Sequence, residues 1–128
     1  MVNDNLKVDV SMNGVILHAD KSERLVRVTQ YLVNNRADAV IVRDGGAPIG
    51  IITRTDVIKA MAQENNDPRV LLAVAIMNQP LITIPHYESI VEAHNIMVRE
   101  NVTKLPVVKE LDIVGLLLKS DIIRDLKL

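Results

Sequence analysis

Gly50-Ile-Ile-Thr-Arg-Thr-Asp56 recurs 65 residues later as Gly115-Leu-Leu-Leu-Lys-Ser-Asp121. In each copy a glycine opens a run of aliphatic residues suited to a buried strand, and the run ends in polar residues and an aspartate just before a helical pattern. Met12-Asn13 overlies Met77-Asn78 at the same offset. Gly14-Val-Ile-Leu-His18 matches Pro80-Leu-Ile-Thr-Ile84 at 66, as Ala39-Val-Ile-Val42 matches Leu105-Pro-Val-Val108, which implies a one-residue deletion in the turn between. Two units of about 60 residues therefore fill the 128.

Both units read alike. A short apolar run, Val15 to Leu17 or Leu81 to Ile84, precedes a capping-box pattern, Asp20-x-x-Glu23 or Ser89-x-x-Glu92. Apolar residues then recur at helical spacing: Leu25, Val28 and Leu32 in one unit, Ile90, Ala93 and Met97 in the other. Two β-rich runs follow, Ala39 to Val42 with Ile49 to Thr53, and Leu105 to Val108 with Ile113 to Leu118. Asp44-Gly45-Gly46-Ala47-Pro48 joins the first pair as a hairpin turn, and Lys109-Glu-Leu-Asp112 the second. A last helix is expected over Val57 to Gln63 and over Ile122 to Leu126. The fold class is α+β, a β-α-β-β-α unit twice, with a first repeat over 1–66 including an N-terminal segment and a second over 67–128. Neither unit is large enough to close its own core, so the two are expected to pack about a pseudo-twofold axis, with clefts at the seam as the places for a ligand.

Composition narrows the function. Apolar residues are 48% of the chain, which argues against disorder, and 15 basic residues face 16 acidic ones, spread evenly, so neither an acidic tail nor a basic arm is expected. Aromatics are limited to Tyr31 and Tyr87, which removes the stacking platforms of single-stranded nucleic-acid binders, and nucleic acid is not an expected partner. No cysteine is present, so thiol chemistry and thiolate metal sites are excluded. No apolar run approaches the ~20 residues of a membrane helix and the polar start is no signal peptide, so a cytoplasmic protein without membrane attachment is expected.

With both signatures, Lys104-Leu-Pro-Val-Val108 and the repeat in hand, the chain resembles the tandem cystathionine β-synthase (CBS) domain pair, or Bateman module, over roughly Val10 to Leu126. The resemblance implies binding of an adenosine-containing ligand, AMP, ADP or ATP or else S-adenosylmethionine, as a regulatory signal passed to an effector protein, with no obligate cofactor. The chemistry is intelligible on its own terms. A carboxylate at a strand-to-helix turn can accept from both ribose hydroxyls, and a Lys or Arg at the mouth can meet a phosphate.

Carried over position by position, the resemblance builds one cleft around Asp121 from Ser11, Val15, Ile16, Thr103, Lys104, Leu118 and Ser120. The other, around Asp56, takes Met77, Leu81, Ile82, Ala37, Asp38, Thr53 and Thr55. Leu118 stands where the signature has a hydroxyl. At an offset of 66, Asp38 stands where the first cleft has Lys104, so the Asp121 cleft is expected to favour a phosphorylated ligand, with Arg54 the only cation near Asp56.

Plainer roles compete with these. Asp56 and Asp121 suit helix N-caps, Thr53 suits a strand, and Gly45-Gly46 suits a turn because no Gly-Lys-Ser/Thr comes after it. His18, His86 and His94 have no metal-ligand spacing, and no nucleophile has a base beside it, so an enzyme is not expected. The expected function is a stand-alone, homodimeric ligand sensor; the alternative is an interaction or dimerisation module with degenerate clefts.

Overall fold

Each copy of the signature is the second arm of a β-hairpin that runs directly into a helix. The computed structural model describes residues 6–126. Their elements are α1 (Val8–Ser11), β1 (His18–Asp20), α2 (Leu25–Asn34), β2 (Ala39–Asp44), β3 (Ala47–Thr53), α3 (Arg54–Met61), α4 (Ala73–Ile76), β4 (Ile84–Pro85), α5 (Ile90–Glu100), β5 (Lys104–Lys109), β6 (Asp112–Leu118) and α6 (Lys119–Leu126). They form two three-stranded sheets, β1-β2-β3 and β4-β5-β6, each with a short first strand parallel to the second and an antiparallel hairpin. This is the α+β class read from the sequence, and the expected β-α-β-β-α order holds in each half with one addition, a short leading helix (α1, α4) that the sequence reading did not include.

The hairpins share their construction. Gly45 (φ 58°) and Gly46 (φ 90°) form a two-residue loop that closes Asp44 on Ala47. Left-handed values there match the twist of the flanking strands. In the second hairpin Glu110 adopts φ 57° between Lys109 and its partner Asp112. Each hairpin then carries one bulged residue, Ile49 in the first and Val114 in the second.

Register corrects the repeat arithmetic. Ala39 pairs with Thr53 and Lys104 with Leu118; Val42 pairs with Gly50 and Val107 with Gly115; Ala19 lies beside Val42 and Ile84 beside Val107. Every equivalence is 65, with no deletion, so the offsets of 66 were a one-residue slip. The reason is the two-residue period of a strand, in which a slip of one exchanges buried and outward faces. Val40 and Val42 enter one core, Leu105 and Val107 the other. The counterpart of Lys104 is therefore Ala39, and that of Asp38 is Thr103.

The first strands and the helix starts differ from the sequence reading as well. Val15, expected in a strand, is 71% exposed, and pairing begins three residues later, around buried Ala19 and Ile84. Leu25, Val28 and Leu32 of α2, and Ile90, Ala93 and Met97 of α5, are buried as their spacing requires. Ser89 caps α5, accepting from Glu92 N at 3.1 Å. Asp20 does not cap α2; it accepts from Ser22 N at 2.9 Å in the turn before it. The N-cap of α2 is Arg24, the true counterpart of Ser89, and Leu71 O and Pro68 O instead accept from Leu25 N (2.7 Å) and Val26 N (2.9 Å). The last helices start earlier than expected, at Arg54 and Lys119, so Asp56 and Asp121 lie within their first turns.

The chain forms two compact units, one contiguous over Leu17–Leu81 and one that joins the residues up to Ile16 with those from Ile82 onward. They differ from the sequence repeats in their lead segments. The segment after α1 pairs with β6 (Asn13 with Leu116), and the segment after α4 with β3 (Ile51 with Asn78). Both pairings pass over a glycine. A Cβ on Gly50 would lie 2.6 Å from Met77 Sδ and 2.9 Å from Asn78 O. Gly50→Ala is therefore expected to destabilise the protein by about 1–3 kcal/mol, whereas Gly14→Ala, which meets nothing within 4 Å, should stay within about 0.5 kcal/mol. Urea unfolding with an unchanged slope is the measurement.

Candidate functional site: two carboxylates at strand-to-helix turns

In the Leu17–Leu81 unit, Thr53 ends β3 as the N-cap of α3, and Asp56 is its third residue. The two make a reciprocal capping box. Asp56 Oδ2 accepts from Thr53 N (2.7 Å) and Thr53 Oγ1 (2.8 Å), and the hydroxyl accepts a long bond from Asp56 N (3.4 Å). A third donor comes from the lead segment, where Asn78 Nδ2 reaches the same Oδ2 at 2.7 Å. Asn78 is itself fixed by backbone bonds to Ile51, donated at 2.9 Å and accepted at 3.2 Å. Oδ2 is thus saturated, while Oδ1 has no partner among the described residues. The carboxylate is immobilised by one oxygen and presents the other, which a capping role alone does not require.

The rest of this candidate site divides. Asp38 is half-buried just before β2 and Thr55 is exposed on the first turn of α3. Arg54, expected to offset the acidic charge, points elsewhere: its Nε donates to Ala37 O (2.7 Å) and its Nη2 to Leu32 O (3.2 Å), at the C-terminal end of α2. Leu81 closes the unit, whereas Ile82 belongs to the other one and packs on that core. A groove of about 340 Å³ opens beside Asp56, lined also by Lys59, Ala60, Gln63, Asn66 and Ile76.

In the other unit Leu118 takes the position of Thr53. Asp121 Oδ2 keeps only the backbone bond, from Leu118 N at 2.9 Å, and Oδ1 accepts from Arg124 Nη1 at 3.1 Å. Thr103 O accepts from Lys119 N at 2.9 Å, and Lys104, paired with Leu118 across the hairpin, lies 3.5 Å from Thr103 Oγ1 with no carboxylate partner among the described residues. Ser11 ends α1, and its side-chain oxygen is buried without a hydrogen bond. Val15 donates its N–H to Asn13 Oδ1 at 2.9 Å, Ile16 is half-buried and Ser120 is exposed. Arg124, held by Asp125 above all, has its pKa pushed further up and stays charged.

Asn78 and Arg124 were missed in the sequence. Asn78 was visible as half of the repeated Met-Asn pair, and Arg124 as a cation three residues after Asp121 on a helix. Among the described residues no three His, Asp or Glu side chains converge on a point that could hold a metal ion. His18 accepts from Arg43 Nε at 2.9 Å, and burial, then the Arg43 charge, keep its pKa below the usual histidine value. No helix among the described residues is long and apolar enough to cross a membrane.

The CBS domain profile matches residues 7–63 and 73–128. An uncharacterized protein of Methanocaldococcus jannaschii is 33% identical over 120 residues, 94% of this chain and 62% of that protein. One of Methanopyrus kandleri is 33% identical over 86 residues, 66% of this chain and 44% of that protein. The chain spans about half the length of these relatives. Among solved structures, a Methanocaldococcus jannaschii protein described as an archaeal homologue of γ-AMPK has a TM-score of 0.80 at 26% identity, covering 96% of this chain and 48% of that one. A CBS domain pair in complex with 5′-methylthioadenosine and S-adenosyl-L-methionine scores 0.81 at 24% identity, covering 93% and 94%. A hexameric CBS-CP12 protein from bloom-forming cyanobacteria scores 0.86 at 20% identity, covering 96% and 67%.

Thr53 and Asn78 serve one oxygen and are expected to be coupled. Thr53→Ala and Asn78→Ala should each cost about 1 kcal/mol, and the double variant should differ from their sum by about 0.5 kcal/mol or more. A double-mutant cycle in urea reads this directly.

Proposed function

The chain belongs to the CBS domain family, and from that premise we propose that it is a regulatory sensor of an adenosine-containing ligand, with Asp56 and Asp121 as the carboxylates that read the ribose. The observation that carries the reading is the state of Asp56: three donors on Oδ2 fix the group, and Oδ1 is left to accept from a ligand hydroxyl. An immobilised acceptor loses little freedom on binding, and a bond to a charged acceptor is stronger than a neutral one. The ligand class is supported by the related fold that holds 5′-methylthioadenosine and S-adenosyl-L-methionine and by the similarity to the γ-AMPK homologue. On this reading Ser11, Val15, Ile16, Thr103, Lys104 and Ser120 surround the ligand beside Asp121, and Asp38, Thr53, Thr55 and Leu81 the one beside Asp56. The output goes to an effector protein, and no catalysis is assigned.

Thermal denaturation with adenosine, AMP, ADP, ATP and S-adenosylmethionine tests it. A ligand at 100 times its dissociation constant adds about 2.7 kcal/mol of stability. Asp56→Ala and Asp121→Ala should each weaken binding at their own site by about 1.5–3 kcal/mol in calorimetry. If none of these ligands shifts the transition, the interaction-module alternative takes its place.

Assembly is part of the same proposal. On the Leu17–Leu81 unit an apolar groove of about 280 Å³ runs between α2 and α3, lined by Val26, Val33, Val57 and Met61, with Val33 61% and Ile58 69% exposed. A second copy laid there with twofold symmetry would bury these side chains. Light scattering at micromolar concentration is expected to give twice the chain mass, and Val33→Asp to reduce it to one.

A further inference from the structure

The two carboxylates are committed differently, and one side chain makes the difference. Asp56 has one oxygen without a partner among the described residues, whereas both oxygens of Asp121 are in use, Oδ2 by Leu118 N and Oδ1 by Arg124 Nη1. The Arg124 guanidinium also donates Nε and Nη2 to the two oxygens of Asp125 (2.9 and 3.0 Å), and its Nη2 reaches Ser11 O at 3.4 Å. It therefore spans from α6 to α1, between two residues expected on opposite walls of the same cleft. Asp121 is only 13% exposed at its side chain, while Arg124 is 60% exposed and open to solvent. At the repeat offset of 65 the counterpart of Arg124 is Lys59, which lines the open groove beside Asp56 and makes no bond to that carboxylate among the described residues.

A hydroxyl that is to use Asp121 Oδ1 must displace a guanidinium. For an uncharged nucleoside the exchange replaces a charge-assisted pair with a bond from a neutral donor and leaves Arg124 short of one partner. A ligand that also carries a phosphate supplies a replacement, because guanidinium and phosphate oxygens match in fork geometry. Lys104, without a carboxylate partner among the described residues, adds a second cation to the same ligand group.

Resting on the reading of Asp121 as a ribose carboxylate, we infer that Arg124 is the specificity-determining residue of the Asp121 cleft, transferring from the carboxylate to the ligand's anionic group and so selecting a phosphorylated over an uncharged adenosine. The Asp56 cleft, with no such arginine, takes the uncharged form without breaking an ion pair. Selectivity between the clefts then arises from Arg124 rather than from the Asp38–Lys104 contrast that the mistaken register suggested.

Calorimetric titrations with adenosine and with AMP, in an Asp56→Asn background so that the heat comes from the Asp121 cleft, test the inference. Adding Arg124→Gln should tighten adenosine by about three- to fivefold, the worth of releasing a partly exposed ion pair, and weaken AMP by about tenfold. The AMP-over-adenosine preference should therefore fall by more than about tenfold. Arg124→Lys, which keeps the charge and loses the fork, should fall between the two, and melting temperatures check that each variant is folded. Equal weakening of both ligands, an unchanged preference, or binding confined to the Asp56 cleft would overturn the role of Arg124 alone. If neither ligand gives heat even with the unsubstituted protein, the adenosine reading falls and this inference falls with it.

Discussion

The crossing of a Met-Asn pair over a hairpin glycine is the constraint on which the rest depends. In the Leu17–Leu81 unit Asn78 exchanges two backbone bonds with Ile51, and its neighbour Met77 lies against Gly50. The crossing joins three things that are distant in sequence: the strand that ends at Thr53, the helix that begins at Arg54, and the segment after α4. An extended chain brought to the edge of a sheet would otherwise leave its backbone polar groups unpaired. Once it is pinned there, the side chain of Asn78 is within reach of the carboxylate of Asp56 and donates to it at 2.7 Å. The same crossing at Asn13 and Leu116 fixes α1 against β6, but Asn13 turns its side chain to Val15 N, and Asp121 is left to a different partner. One backbone arrangement thus supports two chemically different sites.

Much of this was legible in the sequence, and the main error has a physical cause. The repeat, the hairpins and the buried faces of α2 and α5 came from periodicity, because aliphatic residues at helical and alternate spacing leave little choice of face. The offset was harder. Two runs as uniform as Ala39-Val-Ile-Val42 and Leu105-Pro-Val-Val108 match as well at 66 as at 65, since neighbouring aliphatic side chains are nearly interchangeable in shape. Only the glycines and the Met-Asn pairs, which cannot be exchanged, hold the register. The slip carried a functional error with it, because it set Asp38 opposite Lys104. The cap error is separate: the capping-box pattern set Ser89 against Asp20, four residues before its counterpart Arg24.

Of the candidate site, the two aspartates were legible and their environments were not. That Thr53 and Asp56 would interact could be read from their spacing. That Leu118 would leave Asp121 to a charged neighbour could not, since a seven-residue signature ends at the aspartate and Arg124 lies a helical turn beyond it. Arg54 shows the opposite failure. Its position within the signature suggested an offset to the acidic charge near Asp56, yet the carbonyls of Leu32 and Ala37, where α2 ends and the chain turns, accept from it instead. Charge near a site is not charge in the site.

The division of the chain into a contiguous unit and a composite one bears on how it is made. Leu17–Leu81 holds all the strands and helices that supply its buried cluster. The other unit needs α1 from before that stretch and β4 to α6 from after it, so its sheet cannot gain the pairing of Asn13 with Leu116 until a loop of more than a hundred residues has closed. During synthesis α1, with Val8 destined for complete burial, must wait unpaired while the middle unit forms. The order of the chain thus places the closing of the composite unit after its last strand has been made.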